Sequence, residues 1–292
     1  MLTHIDIFDP SSYPTRRQEE WKYSDLSRAL RVVPASSDVH RHAETVTVPA
    51  GEAVIRLDVY DASAPVVHED LRFTLGEGAS LTRIVILDEA DTTVSIRQSI
   101  VETAPGSVFR QYVFSTGAHF QRFETHVNHA GHGAQVELHG AYLLKGKRHF
   151  DLTTRVNHTD VDGVTQQLIK GLVKDQATAV FQGRILVEKG ADGTDARMRH
   201  QALILNDGAH IRAKPELEIY ADDVQCAHGN TIGALDEEAL FFCQSRGIPE
   251  DMARAMLTHA FVLPVADQIE DEGLRARVLS FLENASGDFH AL

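Results

Sequence analysis

The chain has 292 residues, of which 28 are basic and 42 acidic, for a formal net charge of −14. Its 43% of hydrophobic and 24% of charged residues are typical of a folded globular protein and exclude the disordered class. The acidic balance disfavours nucleic acid and anionic membrane surfaces as partners, since both require a basic face.

The cysteines and the first residues predict the compartment. Cys226 and Cys243 are the only cysteines, too few for a disulfide framework or a four-cysteine zinc site. The start, MLTHIDIFDP, lacks the basic and apolar regions of a signal peptide. No apolar run approaches the roughly 18 residues of a membrane helix. We therefore expect a cytoplasmic protein without a membrane segment.

Residues 1–45 form the first predicted region, a helical segment followed by a linker. In PTRRQEEWKYSDLSRAL, Thr15 and Gln18 have the spacing of a capping box, which predicts one helix. The following RVVPASSDVHRHAETV mixes proline, serine and both charges, as linkers do.

Residues 46–235 form the second region, in which apolar and polar residues alternate in short runs bounded by turn residues. This alternation is typical of half-buried strands. The run AVIRLDVYD, for example, places Ile55, Leu57 and Val59 on one face and its polar residues on the other. The region is therefore predicted to be all β.

A glycine repeat indicates the β architecture. Glycine followed by a small residue precedes a strand at Gly78, Gly106 and Gly133, with spacings of 28 and 27 residues, and again at Gly208, 75 residues further on. Gly117 does not fit the phase. Fixed periods of this length predict a β-solenoid, with a sandwich or jelly roll as the alternative.

Residues 236–292 are predicted to form three helices. The first helix is predicted to begin after Asp236, which suits an N-cap, and to end before Gly247. Pro249 suits the first turn of the second helix, and the third helix is predicted after Pro264. Apolar residues recur along the last two helices, at Met252, Met256, Ala260, Ile269, Leu274, Val278 and Leu282. These are more apolar faces than three short helices can bury, which predicts a partner surface.

The strand PELEIYADDVQCAH carries the strongest candidate site. Alternation places Val224, Cys226 and His228 on one face, with the cysteine and histidine about 7 Å apart. Two such groups can hold a metal only if further ligands come from elsewhere, because zinc and iron–sulfur sites require about four. The structural alternative is a buried cysteine followed by a turn histidine.

Two other polar runs have structural interpretations. In HVNHAGH, His126, His129 and His132 are expected to lie on a solvated strand and turn, with His129 pointing away from His126. In HFDLTTRVNHTDVDG, turn chemistry accounts for Asp160 and Asp162, because the other oxygen ligands of a calcium loop are absent.

The sequence contains no G-x-x-x-x-G-K-[ST] phosphate loop, no G-x-G-x-x-G, no G-x-S-x-G and no H-E-x-x-H. If ATP drives the work of this protein, another protein must bind it.

The run KPELEIYADDVQCAHGNTIGALDEEALFFCQSRGIP, residues 214–249, closely resembles the signature of the SufB/SufD family of iron–sulfur cluster assembly scaffolds. EEWKYSDL also resembles that family's early WKY-[ST]-DL element. ADDVQCAHG is most like the SufD form, and Gln201 and Ala202 stand where the SufB form carries a cysteine on the preceding strand.

The resemblance implies a right-handed parallel β-helix with helical segments at both ends. It makes His228 a candidate iron or cluster ligand at a subunit interface, with Cys226 as a neighbour that assists. A SufB-like subunit would pair with the β-helix, and a SufC-like ABC ATPase would dock on the C-terminal helices. The cluster would be transient and shared with the partner, and the isolated chain would hold no tightly bound cofactor; a role for flavin is left open.

Two rival functions remain at this stage. One is a β-helix hydrolase or lyase that uses Asp222, Asp223 and His228 as acid–base groups. The other is a structural homodimer that associates through its strand edges without any metal.

Overall fold

The structure, a computed structural model, describes residues 3–61 and 64–289. In this part of the chain, successive strands alternate between two parallel sheets of seven strands each. Sheet A contains β1 (Val39–Val48), β3 (Val66–Leu75), β5 (Val94–Glu102), β7 (Phe120–His129), β9 (His149–His158), β11 (Thr178–Val187) and β13 (His210–Ile219). Sheet B contains β2 (Ala53–Tyr60), β4 (Ser80–Leu87), β6 (Val108–Ser115), β8 (Gln135–Leu144), β10 (Val164–Val173), β12 (Asp195–Ile204) and β14 (Gln225–Gly233). The predicted β-solenoid is confirmed.

The predicted glycine repeat forms one corner of the solenoid. A residue with φ between 57° and 75° lies two positions before each sheet B strand from β2 to β12: Gly51, Gly78, Gly106, Gly133, Asp162 and Gly193. The backbone N–H of each donates to a carbonyl in the next coil, as from Gly78 to Pro105 at 2.9 Å. Gly208 instead lies two residues before β13 of sheet A, so its assignment to the same series is wrong.

The interior of the solenoid changes from charged to apolar along its length. Phenylalanines fill its middle, and in the first coils the buried Arg83 and Arg97 join Phe73 in the interior. Residues 53–60 alternate as predicted. However, the face that carries Ile55 points to solvent, and the polar face points into the solenoid. Ile55 is 57% exposed, whereas Asp58 points inward and accepts from the fully buried Arg83 at 2.7 Å.

Each sheet is covered on its outer face by one end of the chain. The N-terminal segment packs on sheet A through Ile5, Ile7, Tyr13, Trp21, Leu26 and Leu30. Sheet B is covered by the helices α3 (Glu250–Ala266) and α4 (Glu272–Ser286), which contribute Val262, Val265, Val278 and Leu282 to an apolar layer. The sides of the solenoid are thus partly closed, and its two ends carry edge strands.

The continuous N-terminal helix predicted from the capping box is wrong. The segment contains a 3-10 turn at Glu19–Trp21 and a single helical turn, α1 (Leu26–Ala29). Trp21 and Ser24 are fully buried against sheet A, and docking on a flat sheet holds this segment more extended than a helix. Strand β1 begins at Val39, inside the predicted linker, and the outermost residues 1 and 292 of the predicted regions lie outside the described residues.

The C-terminal helices follow the predicted signals closely. Asp236 caps α2 (Glu237–Ser245) by accepting from the N–H groups of Glu238 and Ala239, and Gly247 has φ +85°. Pro264 does not end the second helix, because it lies in the last turn of α3, which continues to Ala266. Among the described residues, no helix combines the length and apolar character needed to cross a bilayer.

Candidate functional site

Cys226 and His228 lie on β14, the last strand of sheet B. Cys226 pairs in register with Ala196 and His228 with Met198, both of which belong to the solenoid core. Their side chains therefore belong to the core-facing row of β14, which continues with Asn230 and Ile232.

This core-facing row is open to solvent because it stands at the end of the solenoid. Within the residues described, no strand pairs with the outer edge of β13 or of β14. Cys226 is half-buried against the core, while His228 and Asn230 are exposed. Ile219, Tyr220 and Ile232 are also exposed here, by 41%, 64% and 40%. The C-terminal opening, as we call this end, combines polar groups of β14 with exposed apolar side chains.

The thiol and the imidazole can supply part of a ligand set. Burial raises the pKa of the Cys226 thiol, and the nearby Asp195 charge adds to this effect. No group of three or more His, Cys, Asp or Glu side chains that could hold a metal occurs in the part of the chain that the structure describes. Iron or a cluster at His228 would therefore need ligands from a second chain.

The acid–base alternative finds no geometric support. Asp222 and Asp223 lie in the corner before β14, where the Asp223 carbonyl accepts from the N–H of Gly193 at 2.7 Å. This corner is a bend, and roughly 10 Å of extended strand, from Gln225 to His228, separates it from the imidazole. That distance is too long for two groups that share one acid–base step.

The three histidines of HVNHAGH point in different directions, as the alternation predicts for His126 and His129. His126 faces outward and bonds Glu124 at 2.6 Å, while His132 is exposed. The solvated strand is wrong for both strand histidines: His126 is buried although it faces outward, and His129 is fully buried in the interior. It stacks on the equally buried His158 with ring centroids 4.2 Å apart. The turn interpretation of Asp160 and Asp162 is supported, since Asp162 is a corner residue with φ 57°.

A serine, a histidine and an aspartate come together beneath the N-terminal segment, which the sequence did not indicate. The Ser24 hydroxyl donates to Asp151 and lies 3.1 Å from Nε2 of His149. Ser24 and Asp151 are fully buried, and Asp151 also accepts from Arg122 at 2.6 Å. A nucleophile needs access to substrate, so this cluster anchors the segment to sheet A.

A second exposed apolar surface lies on the C-terminal helices. Phe241 and Phe242 of α2 are 71% and 60% exposed, and Met252 and Met256 of α3 are 56% and 51% exposed. We call these four residues the helix surface. Exposed phenylalanines and methionines are typical of protein–protein contacts.

Comparison with known proteins gives one consistent result. The family model described as SUF system FeS cluster assembly, SufBD core domain, matches residues 38–261. The chain is 31% identical to the iron–sulfur cluster assembly protein SufD of Escherichia coli over 211 residues, which cover 72% of this chain and 50% of that protein. A SufBD family protein of Synechocystis is 31% identical over 204 residues, covering 70% of this chain and 45% of the relative. One of Mycobacterium tuberculosis is 28% identical over 251 residues, covering 83% and 63%.

The chain thus spans about half to two thirds of the length of these curated relatives. The matched part includes the whole solenoid and most of α3.

Proposed function

The chain belongs to the SufBD family of iron–sulfur cluster assembly proteins, and on this premise we propose that it is the SufD-like scaffold subunit of a SufBCD-type complex. In this complex it would help to assemble clusters and pass them to apo-proteins. The observation that carries the proposal is the C-terminal opening, where the family signature places Cys226 and His228 on an unpaired edge strand.

His228 is the proposed iron or cluster ligand, and Cys226 the neighbour that assists it. Imidazole and thiolate are suitable ligands for iron and for iron–sulfur clusters. The cluster is proposed to be transient and shared with a second chain, because Cys226 and His228 supply two of the roughly four ligands that a cluster requires.

Two surfaces are proposed to bind two partners. A SufB-like solenoid would pair with the edges of β13 and β14, burying Ile219, Tyr220 and Ile232; without that partner, two copies of this chain would pair there. A SufC-like ABC ATPase would dock on the helix surface. The missing phosphate loop supports a non-catalytic scaffold whose ATP hydrolysis comes from that partner. Labile sulfide and two free cysteines favour a reducing, cytoplasmic setting.

The test is an anaerobic affinity purification of the tagged chain from its own cells, with mass spectrometry and iron and sulfide analysis. We expect a SufB-like subunit, an ABC ATPase and acid-labile sulfide in one complex. Ile232→Asp should remove the SufB-like subunit and spare the ATPase, while Phe241→Asp should do the reverse. A chain recovered without either partner and without sulfide would refute the proposal.

A further inference from the structure

A line of hydrogen bonds runs through the solenoid interior to the C-terminal opening. The Tyr142 hydroxyl of β8 lies 2.8 Å from Nε2 of His200 on β12. Nδ1 of the same imidazole lies 2.7 Å from Oδ1 of Asn230, its direct partner on β14. Tyr142 and His200 are fully buried, whereas Asn230 is exposed. The line therefore connects the core to the row that contains His228.

The intervening strand β10 makes room for this line. Gly171 pairs in register with Tyr142, and a Cβ atom at position 171 would lie 2.0 Å from Cζ of that ring. The missing side chain lets the tyrosine reach past β10 to His200. Four neighbouring strands of sheet B thus take part in holding one exposed side chain.

The direction of each hydrogen bond follows from the charge of the imidazole. Burial lowers the pKa of His200 to about 4, so the ring is neutral and carries a single N–H. Since Oδ1 of Asn230 can only accept, Nδ1 of the ring donates to it, and Nε2 accepts from the Tyr142 hydroxyl. The amide nitrogen of Asn230 forms no hydrogen bond within the residues described and keeps two N–H groups for an acceptor at the opening.

The surroundings of His200 make the burial of its polar ring energetically unfavourable unless the ring is hydrogen-bonded. His200 lies among apolar side chains and stacks on Phe181 with ring centroids 4.8 Å apart. A buried polar group in such a place is tolerated only when it is fully hydrogen-bonded, and an apolar residue would pack there more simply. The gain is a fixed orientation of Asn230.

We propose that Asn230 donates an N–H to an anionic sulfur atom of the assembling cluster, with Tyr142 and His200 as its positioning residues. The inference rests on the proposed function, because the cluster supplies the acceptor. Asn230 follows His228 by two residues on the same row, about 7 Å away, so a cluster bound by His228 lies over the same opening. Donors to cluster sulfur stabilise the anionic cluster and raise its reduction potential.

Asn230→Asp and Asn230→Ala test the donor in the reconstituted complex, with Thr231→Ala as the matched control on the opposite face of β14. The aspartate keeps an acceptor for His200 and has no N–H to donate. We expect both Asn230 variants to lose cluster iron to a chelator, and so to release labile sulfide, roughly fivefold faster, the effect of one lost hydrogen bond, and to show a lower cluster reduction potential. Thr231→Ala should match the unmodified chain.

His200→Gln and His200→Leu test the positioning. Glutamine can still donate to Asn230 and accept from Tyr142, so it should restore the cluster potential, whereas leucine should lower it. Circular dichroism on each variant verifies the fold before the cluster is measured.

The outcomes separate this inference from the proposed function. If the unmodified complex carries no labile sulfide, both fail. If it carries a cluster that the Asn230 variants leave unchanged, the inference alone fails. The inference also fails if Asn230→Asp matches the unmodified chain, since the asparagine would then only satisfy His200. It fails as well if the variants merely weaken subunit association while each assembled complex keeps the normal potential.

Discussion

The two open ends of the solenoid differ in chemistry. At the N-terminal end the core-facing rows of β1 and β2 include charged side chains, and Arg56 pairs with Glu44 at 2.8 Å and with Asp58 at 2.7 Å. At the C-terminal end β14 presents Cys226 and His228, which form no ion pair within the described residues, beside exposed apolar side chains. Inward-pointing charges protect a sheet edge from pairing, whereas an apolar edge favours it.

The difference supports the C-terminal opening, rather than the N-terminal end, as the proposed partner surface. The charges of the N-terminal end are compensated inside one chain, where the buried Arg83 lies 2.7 Å from Asp58 and 3.9 Å from Glu69. At the C-terminal opening, the side chains of Cys226 and His228 form no ion pair with any residue that the structure describes. We interpret the first end as structural and the second as the working surface.

Breaking the N-terminal network should have the largest effect. Arg83→Met would remove the fully buried cation that pairs with Asp58 and Glu69. Those carboxylates would be left with Arg56 and Arg97 as their cationic arginine partners. Losing one partner of a buried ion pair costs up to about 3–5 kcal/mol. Urea denaturation should show this loss in the free energy of unfolding.

Arg72→Met is the control, because its ion pair with Glu102 spans 3.8 Å at an exposed site and contributes at most about 1 kcal/mol. Equal stability of the two variants would contradict the structural interpretation.

Acid should affect the middle coils more than the charged end. Burial lowers the pKa of His158 to about 3 and also lowers that of His129. In the unfolded chain His158 titrates near 6.5, so stability is greatest above that pH and falls as the pH drops from 6.5 toward 3, by about 1.4 kcal/mol per pH unit. The lowered pKa of His129 adds a loss of the same sign. By contrast, Arg56 lowers the pKa of Glu44, which stays ionised in mild acid.

Amide hydrogen exchange at pH 7 and pH 5, corrected for intrinsic exchange rates, measures this local loss of stability in each strand. Acid should speed the opening of β7 and β9 more than that of β2 and β4. If acid accelerated hydrogen exchange equally in all four strands, the acid sensitivity could not be attributed to His129 and His158.

His228→Ala tests the functional role that we propose for the C-terminal opening. The side chain is exposed, so the free energy of unfolding should change by less than about 0.5 kcal/mol. Cluster yield in the complex should fall at least about tenfold, because a ligand is lost. His210→Ala, an exposed histidine at the start of the edge strand β13, is the control. A normal cluster yield from His228→Ala would remove this residue from the mechanism.

Cysteine substitutions should have the smallest effects. Cys226→Ala removes a half-buried thiol beside the proposed ligand and should lower cluster yield less than His228→Ala. Cys243→Ala, on α2, should act only on packing, at a cost of about 1 kcal/mol or less. Iron and sulfide analysis measures the cluster yield of both cysteine variants, and thermal unfolding measures their stability. A larger loss of cluster from Cys243→Ala would contradict the expected order.

The sequence alone determined the features that depend on neighbours along the chain. Alternation indicated the strands because side chains change face at every residue, and the glycine period indicated the corner because few other residues adopt positive φ. The caps of α2 followed for the same local reason. The signature around Cys226 and His228 identified the family before any coordinates were known.

Only the tertiary structure decided which face of a strand is inside and which residues meet. Arg56 and Asp58 turn inward because the Asp58 carboxylate pairs both with Arg56 and with Arg83, one coil away. Tyr142, His200 and Asn230 form one line although 58 and 30 residues separate them. Register between coils creates these contacts, and it is set by the summed packing of all strands rather than by any local pattern.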